Sequence, residues 1–496
     1  MRYLLKFCHG IVFGVWDLFR DLREYLQFLE RKRMIINIDY ELSPELEIPE
    51  LARRIILAGK PTVVFSNVKG FPGWRMVSNI FRGLDTIRMI LGVDRLEDVG
   101  ERIISLLNKS PPRSFIDKIK SFIDITEIRN YLPKRVGGGD FERNRVDKGF
   151  DKVPIPKIWP GDRGRYITYG LVITKDPLRD IYNMGVYRVQ VIDGERGAIH
   201  WFIHKRAAFS MRNYLSKGSR KIPVAIVVGS DPATMLVGAF PVPYPIDKYF
   251  FASIIRGAPL EIVDLGELEV PANSEIVFKG YVYPDQLVDE GPFGDHRGYY
   301  DSVTKVPLFK LEETFYRDDP LYYFTVVGRP YMEDTWIGKS VERIFLPFIK
   351  FIYPEIIDIN LPPEGLFTGG IAIVSIKKIY PGHAKRIMLG LWGLGLLSLV
   401  KIIIVVDDDV NVHDLGQVIN AIATNTDPFR DTIIINNVPT DELDFVSRER
   451  GLGSKLGIDA TKKLPEENYG REWPKRVEPD PEVSKRVDEL MSKLGI

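Results

Sequence analysis

The chain has 496 residues, of which 45% are apolar and 27% charged, a composition typical of folded globular domains. Lysine plus arginine number 68 against 67 aspartate plus glutamate, so the net charge of +1 excludes an overall attraction to nucleic acid or anionic membrane. The single cysteine, Cys8, excludes an intrachain disulfide framework and a cysteine-rich metal site, and favours a reducing, cytoplasmic location.

Two apolar stretches are too short to cross a membrane. The first, Ile11 to Trp16, is followed at once by charged residues, so we predict an amphipathic N-terminal helix and no signal peptide. The second, MLGLWGLGLLSLV at 388–400, stops at Lys401, short of the roughly 20 residues that a spanning helix needs. A buried helix that leads into a strand at Ile402–Val406 is the better interpretation.

The composition and hydrophobic pattern of the sequence change twice, and these changes predict three regions: 1–125, 126–320 and 321–496. The first alternates helical and strand-like patterns. The second is rich in short β-type runs with turn signals between them, which predicts a barrel or sandwich, interrupted by a helix at YFFASIIRG. The third returns to an α/β pattern and ends in an amphipathic helix that we expect to dock on, or swap with, another subunit.

Three segments carry residues suited to chemistry. In IYNMGVYRVQVID, Asn183 precedes Arg188, and an arginine in a half-buried strand needs an anionic partner, either a structural carboxylate or a substrate anion. In AIHWFIHKR, His200 and His204 have the spacing of a metal pair. No third histidine or cysteine lies nearby, which argues against zinc and favours one core histidine and one at a site.

The segment DEGPFGDHRGYYD at 289–301 places Glu290 and Asp295 on either side of a glycine-bounded turn, directly before His296 and Arg297. Such a stretch is either a solvated loop or an acid/base pair. Weaker signals are Lys455 after a glycine-rich turn, which suits a phosphate, and the three aspartates at 407–409, which suit either a divalent cation or a solvated loop.

The order of these motifs resembles that of the UbiD family of reversible decarboxylases, over residues 18 to 463. The motifs are NMGVYR at 183–188, HKR at 204–206, GSDPA at 229–233, EGPFGDHRGYY at 290–300, YPGHAK at 380–385, VVDDDV at 405–410 and SKLGIDATKK at 454–463. The resemblance implies an α/β chain of three domains. These are an N-terminal α/β domain, a central split β-barrel that binds flavin, and a C-terminal α/β domain used in oligomerisation.

The resemblance also implies a cofactor, prenylated FMN. Loss of carbon dioxide from an unsaturated carbon leaves a carbanion, so a cofactor must supply the electron sink. A flavin prenyltransferase would have to provide this cofactor. The resemblance further implies a bound Mn²⁺ beside the flavin phosphate, and it is compatible with a K⁺ ion there.

If the roles of the family's residues are applied at the matching positions, Arg188 would hold the substrate carboxylate and pair with Glu290. Asp295 would be the general acid, with a pKa raised by burial and by the charge of Glu290. A family glutamate often stands at this position, so Asp295 is a shorter acid.

Other positions match the cofactor site. Asn183 and His204 match ligands of the divalent ion, and Lys455 matches a lysine on the flavin phosphate. The remaining cofactor-binding positions are Val186, Arg188, Ala239, Phe240 and Lys248.

One position departs from the family. Lys248 stands where the family has the glutamate that is the third metal ligand, and a protonated lysine cannot bind a hard cation. Either Asp247 takes over this role, or the ammonium of Lys248 itself neutralises the phosphate. We favour the second.

The family resemblance fixes the reaction better than the substrate. For a heat-adapted, archaeal-type sequence we expect conversion of trans-anhydromevalonate 5-phosphate to isopentenyl phosphate in a modified mevalonate pathway, with His296, Arg297 and Lys248 supplying positive charge. Alternatively, Arg297 is a rim residue paired with Asp301.

The runner-up is a 4-hydroxy-3-polyprenylbenzoate or other aromatic acid decarboxylase of quinone synthesis. A non-catalytic flavin-binding subunit is ranked last because Arg188, Glu290 and Asp295 are all present. We further expect a cytoplasmic homo-oligomer, dimer to hexamer, without a membrane span or nucleic-acid partner.

Overall fold

The computed structural model describes residues 19–107, 129–201, 206–329, 331–367, 369–395, 397–468 and 470–495. Most of the expected N-terminal helix lies outside these residues. Within them, no helix is long and apolar enough to cross a membrane. Short 3-10 helices lie at Asp140–Arg143, Phe150–Lys152, Pro363–Gly365 and Pro465–Glu467.

The N-terminal region alternates helices with short strands, as its sequence pattern predicts. Asp21 caps the first helix by accepting a hydrogen bond of 2.8 Å from Glu24 N, and the helix buries Leu22, Tyr25, Leu26 and Leu29 at helical spacing. The elements are α1 (Leu22–Arg31), β1 (Ile35–Ile38), α2 (Glu47–Leu57), β2 (Thr62–Phe65), β3 (Arg75–Ser78), α3 (Leu84–Leu91) and α4 (Glu97–Leu107).

The central region is a closed barrel of six strands, in the order β12-β9-β6-β7-β8-β13, with β12 and β13 paired to close the ring. The predicted central barrel is therefore confirmed, and the helix expected at YFFASIIRG is α7. The elements are β4 (Lys134–Arg135), β5 (Asn144–Asp147), β6 (Tyr166–Asp176), β7 (Ile181–Val191), β8 (Arg196–Ile199), α5 (Arg206–Ser216), β9 (Ile222–Val228), α6 (Pro232–Ala239), α7 (Lys248–Arg256), β10 (Glu261–Asp264), β11 (Glu269–Pro271), β12 (Ile276–Glu290) and β13 (Thr304–Tyr316).

The long strand β12 pairs with β13 up to its C-terminal end, with register shifts after Lys279 and after Tyr283. At the first of these Gly280 approaches Lys310 so closely that an added Cβ would lie 2.1 Å from the carbonyl oxygen of Lys310. Glycine is therefore required at the bulge, and beyond it β12 continues to Glu290 at its C-terminal end.

The strand β14 (Leu321–Tyr323) leaves the barrel and pairs in parallel with β3, so it completes the N-terminal sheet in the order β1-β2-β3-β14. This segment falls in the region 321–496 of the sequence-based division. The helix α8 (Glu333–Ile352) then packs on α4, where an added Cβ on Gly100 would lie 2.1 Å from the carbonyl oxygen of Ile344. The first and third regions are thus in direct contact.

The C-terminal region is a sheet in the order β15-β16-β17-β19-β18, parallel at its centre and antiparallel at both edges. The apolar helix expected at 388–400 is shorter than predicted because it ends at Trp392, before Gly393 and Gly395, residues of low helix propensity. The elements are β15 (Ile356–Asn360), β16 (Ile371–Ile376), α9 (His383–Trp392), β17 (Ile402–Asp407), α10 (Leu415–Asn425), β18 (Thr432–Pro439), β19 (Leu452–Asp459) and α11 (Pro481–Leu494).

Candidate active site

Arg188 on β7 lies at the centre of the site with only 10% of its side chain exposed. Its Nε and Nη2 donate to Oε1 and Oε2 of Glu290 at 2.8 and 2.7 Å, a bidentate pair. Nη2 also donates to Oδ2 of Asp301 at 2.5 Å, and the guanidinium lies 4.8 Å from the ring centroid of Phe293. One cation is thus shared by two carboxylates, and Nη1 is left outside these contacts.

His200 and Asp301 belong to this group, although the sequence reading did not assign them to it. His200 follows β8, and the pairing of Val189 with Ile199 places it beside Arg188. Its Nδ1 lies 2.6 Å from Oε2 of Glu290. The cross-strand pairing of β7 with β8 is the signal that would have found His200, because each sequence segment alone gives no register.

The ionisation of Glu290 follows from these contacts. Burial alone raises the pKa of a carboxyl, but in Glu290 the hydrogen bond from His200 and the charge of Arg188 outweigh burial and lower its pKa below the ordinary value. Glu290 is therefore a carboxylate.

Among the described residues, His200, Glu290 and Asp301 could hold a metal ion, since their ligand atoms lie within 4.8 Å of one another. Arg188 already contacts all three side chains. A cation here would have to displace the guanidinium, so this cluster is better described as an arginine site.

The loop from Gly291 to Asp301 is fixed by contacts to its backbone. Gly291 N donates to Oε1 of Gln190 at 2.9 Å, and Gly294 N donates to Oδ1 of Asp162 at 2.8 Å. Gly291 has a φ of 91°, which favours glycine. The glycines are turn residues, as the sequence suggests, but the first part of the turn, up to Asp295, is largely buried, and these hydrogen bonds hold its backbone.

Asp295 on this loop is 4% exposed, and its Oδ1 accepts a hydrogen bond of 2.7 Å from Arg297 N. Burial raises its pKa to about 6, and the charge of Asp301 adds to this effect. The prediction of a raised pKa is confirmed, but the carboxylate that contributes is Asp301 and not Glu290. This group of two carboxylates, one guanidinium and one carboxyl with a raised pKa can bind an anion and donate a proton.

Arg297 does not make the contact that was the alternative for it, a pairing with Asp301 at the rim. Its Nη2 donates to Oδ2 of Asp441 at 3.1 Å, and its Nη1 lies 3.8 Å from Oδ1 of Asp444, both in the C-terminal region. The pairing with Asp301 was wrong because Asp301 turns inward to Arg188. The neighbouring His296 is partly buried, and desolvation lowers its pKa to about 4, so its imidazole is neutral near pH 7.

Asp334 is a further carboxyl near the acid that the sequence did not identify. It lies in the first turn of α8, where desolvation raises its pKa to about 7, with contributions from Glu333 and Asp295. No function could be assigned to the segment MEDTWIGK from the sequence, because its proximity to Asp295 depends on how α8 packs.

A second group of polar side chains lies on strands β6 and β7 and at the start of helix α5. Thr174 pairs with Asn183 across β6 and β7, and Tyr187 links Asn183 to the start of α5 through Ala207 N at 3.4 Å. Arg206, the first residue of α5, adds to this group, and three of its side chains have buried atoms that find no hydrogen-bond partner among the described residues: Thr174 Oγ1, Asn183 Nδ2, and Nε and Nη1 of Arg206. Buried donors without acceptors are costly, so this group fits the phosphate of a flavin nucleotide.

At the position where the family has its third metal ligand, the side chain is that of a lysine. Lys248 is 4% exposed, and its Nζ donates to the carbonyl oxygens of Val237 and Gly238 at 3.1 and 3.2 Å. Asp247 accepts from Tyr249 N and Phe250 N with Oδ1, and from Tyr182 N with Oδ2. The carboxylate of Asp247 is thus used as a helix cap, and these residues do not fit a divalent ion. His204 lies outside the described residues.

The remaining predicted cofactor positions lie where α6 meets β7. An added Cβ on Gly238 would lie 3.1 Å from Cγ2 of Val186, so helix and strand are in close contact. Ala239 ends α6 and is exposed, whereas the ring of Phe240 packs edge-to-face on Phe345 in the core. Val186 and Ala239 can therefore line a ligand, and Phe240 can do so only through its backbone.

Lys455 is not brought to this group by any described contact. Its Nζ donates to the carbonyl oxygens of Ser398 and Val400 at 2.7 and 2.9 Å, all within the C-terminal region. Burial lowers its pKa to about 8. A role at the flavin phosphate stays a prediction.

Comparison with known protein families covers most of the chain. Three family models match: the N-terminal domain of 3-octaprenyl-4-hydroxybenzoate carboxy-lyase at 26–103, its Rift-related domain at 137–330, and its C-terminal domain at 335–460. Uncharacterised proteins of Aeropyrum pernix and Aquifex aeolicus are 48% and 43% identical, each over 96% of this chain and 99% of the relative.

Solved structures agree with this assignment. Vanillic acid decarboxylase of Sedimentibacter hydroxybenzoicus in its closed form is 28% identical, with a TM-score of 0.82 over 96% of this chain and 100% of that one. Its open form gives a TM-score of 0.73 over the same shares. The UbiD-class enzyme HmfF of Pelotomaculum thermopropionicum, in complex with FMN, is 26% identical with a TM-score of 0.74 over 94% of this chain and 98% of that chain.

Fold, site and comparisons together define a carboxy-lyase that uses prenylated FMN. The chain belongs to the UbiD family.

Proposed function

We propose that the chain removes carbon dioxide non-oxidatively from an unsaturated carboxylic acid, and that this acid is aromatic and carries no phosphate. The observation that carries the proposal is a buried guanidinium, Arg188, held by Glu290 and close enough to Asp295, a carboxyl of raised pKa, for its charge to act on that group. Such a pair suits a substrate that arrives as an anion and leaves after gaining a proton.

Arg188 positions the substrate. Nε and Nη2 are committed to Glu290 and Asp301, so Nη1 is the nitrogen that meets the substrate carboxylate. Glu290 stays ionised and keeps the guanidinium in one orientation. When bound, prenylated FMN supplies the electron sink for the electron pair that remains as carbon dioxide leaves.

Asp295 supplies the proton. Its Oδ1 accepts from Arg297 N, so the proton is carried on Oδ2, the oxygen left for the substrate. With a pKa of about 6, a useful fraction of Asp295 is protonated near neutral pH, which an ordinary aspartate would not provide.

The charges around the acid favour an aromatic substrate. Of the three groups considered for a substrate phosphate, Arg297 is paired with Asp441, His296 is neutral near pH 7, and Lys248 donates to backbone carbonyls on the cofactor side. Phe293 and Phe367 instead give the loop an aromatic surrounding. The solved vanillic acid decarboxylase, which acts on an aromatic acid, supports the same class.

Trans-anhydromevalonate 5-phosphate is the second candidate. It is favoured by the relatives in Aeropyrum pernix and Archaeoglobus fulgidus, at 48% and 44% identity, since the modified mevalonate pathway was expected for an archaeal chain. The relative in the bacterium Aquifex aeolicus does not favour it over the aromatic acid.

The test is carbon dioxide release from protein reconstituted with prenylated FMN. Vanillate, a 4-hydroxy-3-prenylbenzoate and trans-anhydromevalonate 5-phosphate are supplied in separate reactions. We expect release from at least one aromatic acid. Release from the phosphorylated acid alone would overturn the aromatic assignment in favour of the second candidate.

We also propose that Lys248 takes the place of the divalent ion, together with Arg206 and Asn183. The proposal is supported by the buried nitrogens of Arg206 and Asn183 and by the commitment of Asp247 to backbone N–H groups. Mn²⁺ then has no role at this position, and K⁺ stays a prediction.

We propose a homo-oligomer in the cytoplasm, supplied with cofactor by a flavin prenyltransferase. In support, α11 exposes an apolar stripe at helical spacing: Val483, Val487, Leu490, Met491 and Leu494. Light scattering of the full chain and of a chain ending at residue 479 tests the assembly. The same mass per particle in both would contradict a role for α11.

A further inference from the structure

A loop of the C-terminal region, residues 440–451 between β18 and β19, reaches the active site from outside the barrel. At one point Asp441 and Asp444 bind Arg297, two residues after the acid Asp295. At the other, Nη2 of Arg450 lies 3.1 Å from Nε2 of His200. The same loop thus contacts the neighbours of both catalytic carboxyl groups.

Arg450 is itself held in place. It donates to Oγ1 of Thr304, at the start of β13, and its Nε lies 3.5 Å from Oε2 of Glu442 on its own loop. Arg450 is therefore held both by the barrel and by its own loop. These contacts, and not His200 alone, fix the position of its guanidinium.

The contact fixes the protonation of His200. A guanidinium can only donate hydrogen bonds, so Nε2 of His200 must accept, and the single ring proton is on Nδ1. Nδ1 then donates to Oε2 of Glu290 at 2.6 Å. Nη2 of Arg188 lies 2.9 Å from Nδ1, but the ionised Glu290 can only accept, so the proton of the 2.6 Å contact must be on Nδ1, and Nη2 of Arg188 donates to Oε2 of Glu290 instead.

We propose that Arg450 and His200 are positioning residues for the decarboxylation. Arg450 selects the Nδ1–H tautomer of His200, and that tautomer holds Glu290 where it orients the guanidinium of Arg188. The proposal rests on the proposed roles of Arg188 and Glu290, and it does not depend on which acid is the substrate.

A double-mutant cycle tests this coupling. Arg450→Met, His200→Asn and the double variant are compared, on any acid that the reconstituted wild-type protein decarboxylates. The asparagine amide can still donate to Glu290 from the place of Nδ1 but cannot reach Arg450. We expect Arg450→Met to lower kcat about 10-fold in the wild-type background and less than about twofold in the His200→Asn background, from the typical strength of a charged hydrogen bond.

Two controls separate positioning from damage to the fold. Arg448→Met removes an exposed arginine of the same loop, and we expect its kcat to equal that of wild type. FMN affinity, measured by fluorescence, is expected to be unchanged in all variants. Equal losses of kcat from Arg450→Met in both backgrounds would overturn the proposal.

A spectroscopic measurement is independent of turnover. In protein with ¹⁵N-labelled histidine, the His200 signals are assigned by their loss in His200→Asn. We expect the Nδ1–H tautomer in the wild type and a mixture of tautomers in Arg450→Met. An Nε2–H tautomer in the wild type would overturn the proposal even if no substrate has been identified.

Discussion

Arg188 and Glu290 meet through two parallel hydrogen bonds of 2.8 and 2.7 Å, although 102 residues separate them in the chain. The pair exists because β7 and β12 are strands of one closed barrel, and because β12 stays paired with β13 as far as Glu290, past two register shifts. Buried ion pairs of this geometry stabilise an orientation more than they stabilise the fold.

Glu290→Gln tests the orientation of the guanidinium. The amide keeps the shape but removes the negative charge, so Arg188 retains Asp301 as its only anionic partner among the contacts described above. We expect a loss of about 1–3 kcal/mol in the free energy of unfolding and a fall in kcat/KM of at least about 100-fold. Urea unfolding and initial rates measure the two effects. An unchanged kcat/KM would contradict the role of Glu290.

The pH dependence follows from Asp295. Its pKa is raised to about 6, so the protonated, donating form is present below pH 6 and declines about tenfold per pH unit well above it. We expect kcat to fall on the alkaline side with an apparent pKa near 6. Asp301→Asn removes a charge that raises this pKa, so the fall should move to lower pH. A shift to higher pH would contradict the assignment.

Gly294→Ala tests the rigidity of the acid loop. An added Cβ would lie 2.3 Å from Cδ1 of Trp159, whose Nε1 is hydrogen-bonded to Val327 O at 2.8 Å and cannot easily move. We expect the loop to shift and kcat to fall at least about tenfold, since small misplacements of catalytic groups are costly. Gly137→Ala, at a site with no atom within 4 Å of an added Cβ and, like Gly294, no positive φ, controls for a general loss of backbone freedom.

The metal prediction concerns Lys248. We expect wild-type protein loaded with FMN to hold no stoichiometric Mn²⁺, and its FMN affinity to be insensitive to EDTA. Lys248→Glu restores a carboxylate at the position, so we expect it to gain bound Mn²⁺ and to lose FMN affinity when EDTA is added. Elemental analysis and fluorescence titration measure these effects. Stoichiometric, tightly held Mn²⁺ in the wild type would show that Lys248 does not replace the ion.

Sequence alone anticipated the barrel, the helix α7 and the elevated pKa of Asp295, because local periodicity and a collinear set of motifs carry that information. It missed His200 and Asp301, whose roles depend on strand register. It gave Arg297 either a substrate phosphate or Asp301 as a partner, whereas its partners, Asp441 and Asp444, come from a loop about 145 residues further along. Contacts between domains leave no periodic pattern in the sequence, so the sequence could not predict these partners of Arg297.

The length of the apolar helix was also misjudged. The run at 388–400 is uniformly apolar, but its glycines end α9 at Trp392, and Nε1 of Trp392 then donates to Val400 O at 3.0 Å, which turns the chain into β17. Hydropathy could not separate a buried helix from a buried helix followed by turns.

The most direct test of the account is the turnover of Asp295→Asn. The amide has the size of the carboxyl and can keep the hydrogen bond from Arg297 N, but it has no acidic proton to give. We expect carbon dioxide release to fall at least about 1000-fold, within the range for loss of a general acid, while FMN affinity stays that of the wild type. Normal turnover in this variant, with FMN bound, would show that Asp295 is not the acid.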